Sequence, residues 1–491
     1  MRDTVRFLLG GERRELRGVD PTMTVLDYLR LVERRCGTKE GCAEGDCGAC
    51  TVVIGRLSAS TDAAVRYEAV NACIQFVPML DGVQLLSVED LKGPDGALHP
   101  VQEALVESNG SQCGFCTPGF VMSLFARYRQ TEPAESIDDA LAGNLCRCTG
   151  YRSIVAAAER MNEIGGGYQD RFARDERATA ELLAGLHDEE TLCVERDGRR
   201  FLAPATLDAL ADLLVAHPEA RIVAGATDVG LWVTKQLRVL DTVISIGRVA
   251  ELKRIVETPD AIEIGAGATY TEAAPVIARH YPDFGELIRR LGSVQIRNAG
   301  TIGGNVANGS PIGDTLPALI AAGTTLHLRR GGERRSLPLE AFFLAYGRQD
   351  RRPGEFVERV TLPKPAPGAR FRAYKASKRF DQDISAVCAA FSLTLERDRV
   401  AAVRIAYGGM APTPKRAAEA EAALLGQPWT RATVEAAMTA LSRDFAPITD
   451  MRASAEYRMR VARNLLMRLF IETTDPAAET RLVGERRLAH V

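Results

Sequence analysis

Residues 37–50 read GTKEGCAEGDCGAC and place Cys42, Cys47 and Cys50 at C-x4-C-x2-C spacing, with Cys73 downstream. That is the ligand spacing of a plant-type [2Fe–2S] loop, which takes four thiolates. Four glycines (Gly37, Gly41, Gly45, Gly48) lie among the cysteines. Glycine lets the backbone curl so that amide N–H groups point inward at a cluster and stabilise the charge on its sulfurs. Further on, SQCGFCTPG (111–119) and GNLCRCTG (143–150) set Cys113 and Cys116 against Cys146 and Cys148, as C-x2-C and C-x-C. Eight of the 11 cysteines thus fall into two compact groups. Two clusters in one chain imply the movement of single electrons.

The competing reading is zinc or buried thiols. Zinc sites use two separated C-x2-C knuckles, which the first group lacks. The second group could hold zinc if it stood alone, and the ferredoxin-type loop beside it favours a second cluster. None of the 6 histidines lies in either group, so a Rieske centre is excluded. Cys36, Cys193 and Cys388 are left over and read as ordinary buried thiols.

With 491 residues, the chain is too long for one ordinary core. Hydrophobic content of 46% and charged content of 26% are those of a soluble globular protein. A net charge of −2 implies neither nucleic acid nor an anionic membrane surface. The start, MRDTVRFLLGGERREL, does not read as a signal peptide, and no run of 18 apolar residues suggests a membrane span. A cytoplasmic location is expected, where thiols stay reduced and a metal framework is favoured over disulfides.

Five segments are expected. Residues 1–85 read as a small sheet with one helix, and residues 86–163 as helical, with starts at Ser87/Asp90 and Ser136/Asp139. Residues 164–192 read as a tether beginning at Gly165–Gly167. Residues 193–368 alternate short strands and helices, and residues 369–480 carry two strands and then three helices. Two glycine-rich stretches stand out, IVAGATDVG (222–230) and NAGTIGGNVANGSPIGD (298–314). Such loops let backbone N–H groups approach a pyrophosphate, and they also occur as plain turns. No G-x-G-x-x-G opens a helix, so a Rossmann site is not supported.

Taken together, GTKEGCAEGDCGAC, QCGFCTPG, GNLCRCTG, VAGATD (223–228), RNAGTIGGN (297–305) and DQDIS (381–385) resemble the molybdenum hydroxylase (xanthine oxidase) family, from about residue 4 to 475. Both cluster domains and the flavin domain occur in one chain without a molybdenum part. Within the family, that arrangement resembles the small subunit of the bacterial xanthine dehydrogenase branch. The resemblance implies a multidomain α+β fold: a β-grasp ferredoxin-like domain, a four-helix [2Fe–2S] domain, an α/β FAD-binding domain of the vanillyl-alcohol-oxidase-like (PCMH) type, and a C-terminal α+β flavoprotein domain. It implies that Cys42, Cys47, Cys50 and Cys73 ligate the cluster nearer the flavin. Cys113, Cys116, Cys146 and Cys148 would ligate the cluster nearer the molybdopterin, with Gln112 beside the pterin.

For FAD, the resemblance implies contacts from Ile222, Val223, Ala224, Gly225, Ala226, Thr227, Asp228 and Val229 around the pyrophosphate. Thr301, Ile302, Gly303, Gly304, Asn305 and Asp314 would meet the phosphates and ribityl chain. Leu291, Val357 and Lys375, with the loop 378–383, would lie toward the flavin ring and a docking nicotinamide. Ala226 stands where the family often has glycine, which is tolerable only at negative φ. Leu291 stands where some relatives place an aromatic ring. The implied partner is a molybdopterin-binding large subunit in a two-fold heterotetramer, with electrons passing from purine oxidation through both clusters to FAD and NAD. The alternatives are the same relay serving an aldehyde or N-heterocycle hydroxylase, and a non-catalytic iron–sulfur carrier or assembly protein.

Overall fold

The computed structural model describes residues 1–58, 64–93, 95–130, 135–164, 170–475 and 477–481. These fall into two compact units. The first holds residues 1–210, 219–250 and 292–300. The second holds 211–218, 251–291 and 301–491.

In the first unit, β1 (Thr4–Leu9), β2 (Glu12–Arg17), β3 (Thr51–Leu57), β4 (Val65–Asn71) and β5 (Gln84–Leu86) form one sheet in the order β2-β1-β5-β3-β4. β1 runs parallel to β5, and the other neighbours are antiparallel. Val5, Phe7 and Leu9 alternate along β1 and are fully buried on one face, as a half-buried strand requires. Against that face packs the turn of helix Val25–Asp27, started by Thr24, whose hydroxyl accepts from the Asp27 N–H. The cysteine-bearing loop leads into β3. This is the β-grasp arrangement.

Four helices follow: Pro100–Glu107, Thr117–Tyr128, Ile137–Leu141 and Arg152–Ile164. Ser136 caps the third as its sequence suggests, accepting from Asp139 N. Phe120, Leu124, Phe125, Ile154, Ala157 and Met161 form the core, and it extends to Leu8 and Val53 on the other face of the β-grasp sheet.

The segment read as a tether behaves differently. Gly165–Gly167 lie outside the described residues. From Asp170 onward the chain forms helices Arg171–Arg174 and Glu176–Ala184. Phe172 and Leu183 enter the helical core. Asp170 accepts from Arg129 and pairs with His99 Nε2 at 2.9 Å, in a nearly dry pocket. Mixed charge along this stretch concealed two anchoring apolar residues.

The unit closes with β6 (Leu192–Arg196), β7 (Arg199–Ala203), β8 (Arg221–Val223) and β9 (Thr242–Ser245), ordered β6-β7-β9-β8. Val194, Phe201, Ala203, Val223 and Val243 share one continuous core with Val5, Phe7, Tyr28 and Phe76 of the β-grasp domain. Arg2 seals the seam, held by Asp81 and Asp188.

In the second unit, β10 (Ile255–Glu257), β11 (Ala261–Gly265), β12 (Thr325–Arg330), β13 (Glu333–Pro338) and β16 (Phe356–Pro363) form a sheet ordered β10-β11-β16-β12-β13. A small hairpin, β14 (Phe343–Ala345) and β15 (Arg348–Gln349), lies within the β13–β16 connection. The last sheet, β17 (Arg370–Ala376), β18 (Val387–Glu396), β19 (Arg399–Gly408) and β20 (Lys415–Arg416), is an antiparallel meander. Helices Ala418–Leu424, Arg431–Asp444 and Ala455–Thr474 complete it, over a core of Phe391, Ile405, Tyr407, Leu424, Leu441 and Leu466.

An ionic clasp holds the end of this domain. Glu472 accepts from Arg481 at 2.6 Å, Thr480 at 2.6 Å, Arg468 at 2.9 Å and Tyr374 at 3.0 Å. Burial opposes its charge, yet these partners outweigh it and bring the carboxyl down to about 2 from 4.5. A depressed carboxylate stabilises the fold above the unfolded value and loses that contribution as pH falls through the folded one. Stability should therefore drop by on the order of 2–3 kcal/mol between pH 4.5 and 2. Arg481→Ala should flatten this dependence in acid-titrated urea unfolding; an unchanged slope would show that the clasp contributes nothing.

Candidate functional site

In the first cysteine group, the loop before β3 uses left-handed backbone at Ala43, Gly45 and Gly48. Cys42 Sγ accepts from the N–H of Glu44 and of Cys47, each at 3.4 Å. The thiols of Cys42 and Cys47 are within hydrogen-bond reach of each other, as are Cys42 with Cys73 and Cys73 with Cys50. Cys73 lies in the turn after β4. Cys50 and Cys73 are buried, and Cys42 and Cys47 half-buried.

In the second group, Cys116 sits at the N-cap of helix Thr117–Tyr128, and its thiol reaches Cys146. Cys113 reaches Cys148. Cys146 Sγ accepts from Cys148 N at 3.4 Å and Thr149 Oγ1 at 3.3 Å.

The electrostatics of each quartet are those of crowded thiols. Contacts with Cys47 and Cys73, then backbone N–H groups, hold Cys42 far below the ordinary thiol range. The same contact with Cys42, and then burial, drives Cys47 far up. Cys73 is likewise driven up by Cys42 and Cys50. Burial and then Cys146 push Cys116 up to about 12. Burial also opposes ionisation of Cys146, but Thr149 and the Cys148 N–H win and bring it down to about 7. Filling either quartet with iron must expel protons, since only thiolate ligates.

Among the described residues, no three His, Cys, Asp or Glu side chains converge tightly enough for a single ion. A zinc ion would need such convergence. A two-iron cluster needs two pairs of thiols, and the two groups supply pairs. Each group offers four thiols, the number a [2Fe–2S] cluster takes.

Both glycine stretches follow the same logic of close approach. In the first unit, Ile222 and Val223 end β8, and Ala224–Val229 turn into the short helix Val229–Thr234. A Cβ on Gly225 would stand 1.7 Å from the Ala299 carbonyl oxygen. This glycine is needed for chain-to-chain packing, whatever else the loop holds. Gln75 fixes the turn from behind, donating to Gly225 O at 2.7 Å.

Ala226 departs from expectation: φ is +57°, in the left-handed region, and its side chain is buried. The turn tolerates it because the Cβ packs into the shared core and Ala226 O accepts from Gly230 N at 2.7 Å. Strain of ~1–2 kcal/mol is offset by ~0.8 kcal/mol of methyl burial and by the extra unfolded-state entropy a glycine would bring. Ala226→Gly should thus change stability by less than about 1 kcal/mol, whereas the β-branched Ala226→Val should cost more than ~2 kcal/mol in thermal unfolding. Asp228 reaches solvent, yet its surroundings strip enough water to push its pKa up, against Trp232 and Arg238.

In the second unit, Thr301 caps helix Ile302–Asn308, its hydroxyl accepting from Gly304 N at 2.9 Å. A Cβ on Gly303 would meet Ala266 Cα at 2.4 Å. Asn305 Oδ1 accepts from Thr315 Oγ1 at 2.6 Å. Asp314 is buried, paired with Lys375 Nζ at 2.7 Å and Ser385 Oγ at 2.5 Å. Leu291 is half-buried, and Val357 is buried in β16. The loop 378–383 folds around Phe380, with the Arg290 guanidinium 4.1 Å from its ring centre.

Four family descriptions cover this chain in succession. A 2Fe-2S iron-sulfur cluster binding domain matches residues 7–77, and a [2Fe-2S] binding domain 87–159. The FAD binding domain in molybdopterin dehydrogenase matches 196–365, and the CO dehydrogenase flavoprotein C-terminal domain 372–473. The chain belongs to the molybdenum hydroxylase family. It carries that family's two [2Fe–2S] domains and its FAD-binding region.

Similar molybdenum hydroxylases include the xanthine dehydrogenase of Emericella nidulans, 34% identical over 504 residues, covering 90% of this chain and 36% of that protein. The xanthine dehydrogenase of Drosophila subobscura is 32% identical, covering 97% and 40%. This chain therefore spans well under half the length of these relatives. Among solved structures, a carbon monoxide dehydrogenase from Hydrogenophaga pseudoflava aligns at TM-score 0.52 and 28% identity, over 55% of this chain and 94% of that one. Reconstituted CO dehydrogenase from Oligotropha carboxidovorans aligns at 0.53 and 25%, over 56% and 97%.

Gln75, Asn71, Thr149 and Glu44 were not singled out from sequence. Their role is to hold the loops or to place N–H and O–H groups on sulfur. Only a polar residue beside a cysteine or glycine motif could have hinted at it.

Proposed function

We propose that this chain is the electron-transfer part of a xanthine dehydrogenase. It would receive electrons from purine oxidation at a molybdopterin on a separate large subunit, pass them through two [2Fe–2S] clusters to FAD, and deliver them to NAD. The observation that carries the proposal is the pair of thiol quartets in one unit, combined with xanthine dehydrogenase relatives matching 90% or more of the chain. Cys42, Cys47, Cys50 and Cys73 would hold one cluster, and Cys113, Cys116, Cys146 and Cys148 the other. Bound there, the clusters supply single-electron transfer and FAD converts single electrons to the hydride that NAD accepts.

The chain's own residues do the rest. N–H groups of Glu44 and Cys47 on Cys42 Sγ, and of Cys148 on Cys146 Sγ, stabilise negative sulfur and set potential. Burial of Cys50 and Cys73 keeps water from the first quartet. The second quartet is open: Cys113 and Cys148 are exposed, and Phe115 and Leu145 beside them are 48% and 45% exposed. An exposed apolar rim around ligands suits docking of a partner, so this quartet is the inlet. In the flavin region, Val223–Val229 would embrace the pyrophosphate of FAD, Thr301–Asn305 and Asp314 its phosphates and ribityl chain, and Leu291, Val357 and Lys375 its ring.

Xanthine-dependent NADH formation by the co-purified pair, two small and two large chains, tests the proposal. The pair should reduce NAD with hypoxanthine or xanthine, and neither chain alone should. An active pair that oxidises aldehydes or N-heterocycles and not xanthine would keep the relay and change the substrate. Iron and labile sulfide without flavin would favour a simple carrier.

A further inference from the structure

A buried polar knot lies behind both cysteine loops. It is made by Thr51 of β3, Ser123 of helix Thr117–Tyr128, Asn144 just before Cys146, and Gln295 of the short helix Val294–Arg297. Their exposures are 2%, 5%, 2% and 1%. Gln295 belongs by sequence to the flavin-binding region, yet it lies within the first unit, among the cluster domains.

The hydrogen bonds of the knot run in one direction. Thr51 Oγ1 donates to Gly48 O at 2.7 Å, and Ser123 Oγ to Asn144 Oδ1 at 2.6 Å. Asn144 Nδ2 donates to Gly48 O at 3.1 Å. Both hydroxyl protons are thus already used. Three acceptors then face Gln295 Nε2: Thr51 Oγ1 at 3.3 Å, Ser123 Oγ at 3.1 Å and Asn144 Oδ1 at 3.1 Å. Asn144 Nδ2 also reaches Thr51 Oγ1, at 3.4 Å, whereas Gln295 Nε2 is the donor that reaches all three acceptors. Gln295 Oε1 has no hydrogen-bond partner, so the contribution of this side chain comes from the nitrogen end.

The knot matters because the two cysteine loops touch there. Leu145 N donates to Cys47 O at 2.9 Å, joining a ligand candidate of the first quartet to the neighbour of Cys146 in the second. Gly48 O and Asn144 are the neighbouring residues on each side. We propose that Gln295 is a positioning residue for electron transfer between the clusters: by donating into the knot, the flavin-binding region fixes the register of the two cysteine loops. The inference rests on the assignment of clusters to the two quartets.

Gln295→Glu keeps shape and removes the donor, placing an unprotonated oxygen against three others. Gln295→Met keeps volume and removes polarity. Holoprotein of each variant, reduced with dithionite, is read by electron paramagnetic resonance, and amide exchange is followed at the peptide containing Leu145. Both variants should keep two [2Fe–2S] signals and their iron. The magnetic coupling between the clusters should change, and exchange at Leu145 should quicken by about tenfold, Gln295→Glu more than Gln295→Met. Wild-type coupling and exchange in both variants would overturn the inference while leaving the clusters assigned. If Gln295→Glu does not fold, Gln295→Met alone decides. Absence of two signals from the wild-type chain would instead overturn the cluster assignment.

Discussion

Cys148→Ser is expected to halve the iron bound per chain and to stop xanthine-dependent reduction of NAD, while NADH-driven reduction of artificial dyes at the flavin continues. The reason is the arrangement of the quartets. Cys148 lies beside Cys113, both exposed, in the quartet proposed as the inlet, and a serine hydroxyl is far less acidic and a poorer ligand for iron than thiolate. The other quartet forms on a different loop, before β3, so it should load with iron independently. Cys73→Ser is the complementary case: it strikes the buried quartet and should cut communication with the flavin from the other side. Iron analysis and the low-temperature resonance spectrum read the clusters, and dye reduction reads the flavin. Loss of dye reduction in Cys148→Ser, with FAD still bound, would invert the proposed order.

Asp314→Ala should destabilise the second unit by about 3–5 kcal/mol, the cost of leaving one member of a buried ion pair uncompensated. Lys375 and Asp314 are 2% and 8% exposed at their side chains. Removing the carboxylate strands the Lys375 ammonium, whose other acceptor among the described residues is the Arg290 carbonyl at 3.3 Å. Ser385 loses its acceptor as well. Asp314→Asn keeps volume and the hydrogen bond to Ser385, so it should cost less. Urea unfolding followed by far-ultraviolet circular dichroism measures both. A drop below ~1 kcal/mol for Asp314→Ala would mean that the lysine finds water on its own. If Asp314 also serves the flavin, as proposed, FAD content falls in Asp314→Asn beyond what its stability predicts.

The parts legible in sequence were those where chemistry needs a residue type at fixed spacing. C-x4-C-x2-C and C-x2-C with C-x-C singled out eight thiols before any fold was known, and the structure brings members of each group within reach of one another. Helix starts at Ser87/Asp90 and Ser136/Asp139 were legible because capping is local. What was not legible depended on long-range packing. Phe172 and Leu183 look unremarkable inside a charged stretch, and only the distant core they enter, where Phe172 meets the rings of Phe125 and Tyr67, explains them. Ala226 was misjudged because the cost of a left-handed alanine is local, whereas the burial that repays part of it comes from distant strands. Nothing in SVQIRN singles out Gln295, and the three acceptors it reaches lie 151 to 244 positions away.

The core shared by the β-grasp sheet and β6–β9 bears on how this protein can be cut into pieces. Family boundaries invite a flavin fragment beginning near residue 196. Such a fragment would lose most of β6 and leave Phe201, Ala203, Val223 and Val243 facing solvent in place of Phe7, Tyr28 and Phe76. For this chain, the ferredoxin-like domain also covers the apolar side of the first glycine-rich loop, and expression of either half alone is expected to lead to aggregation.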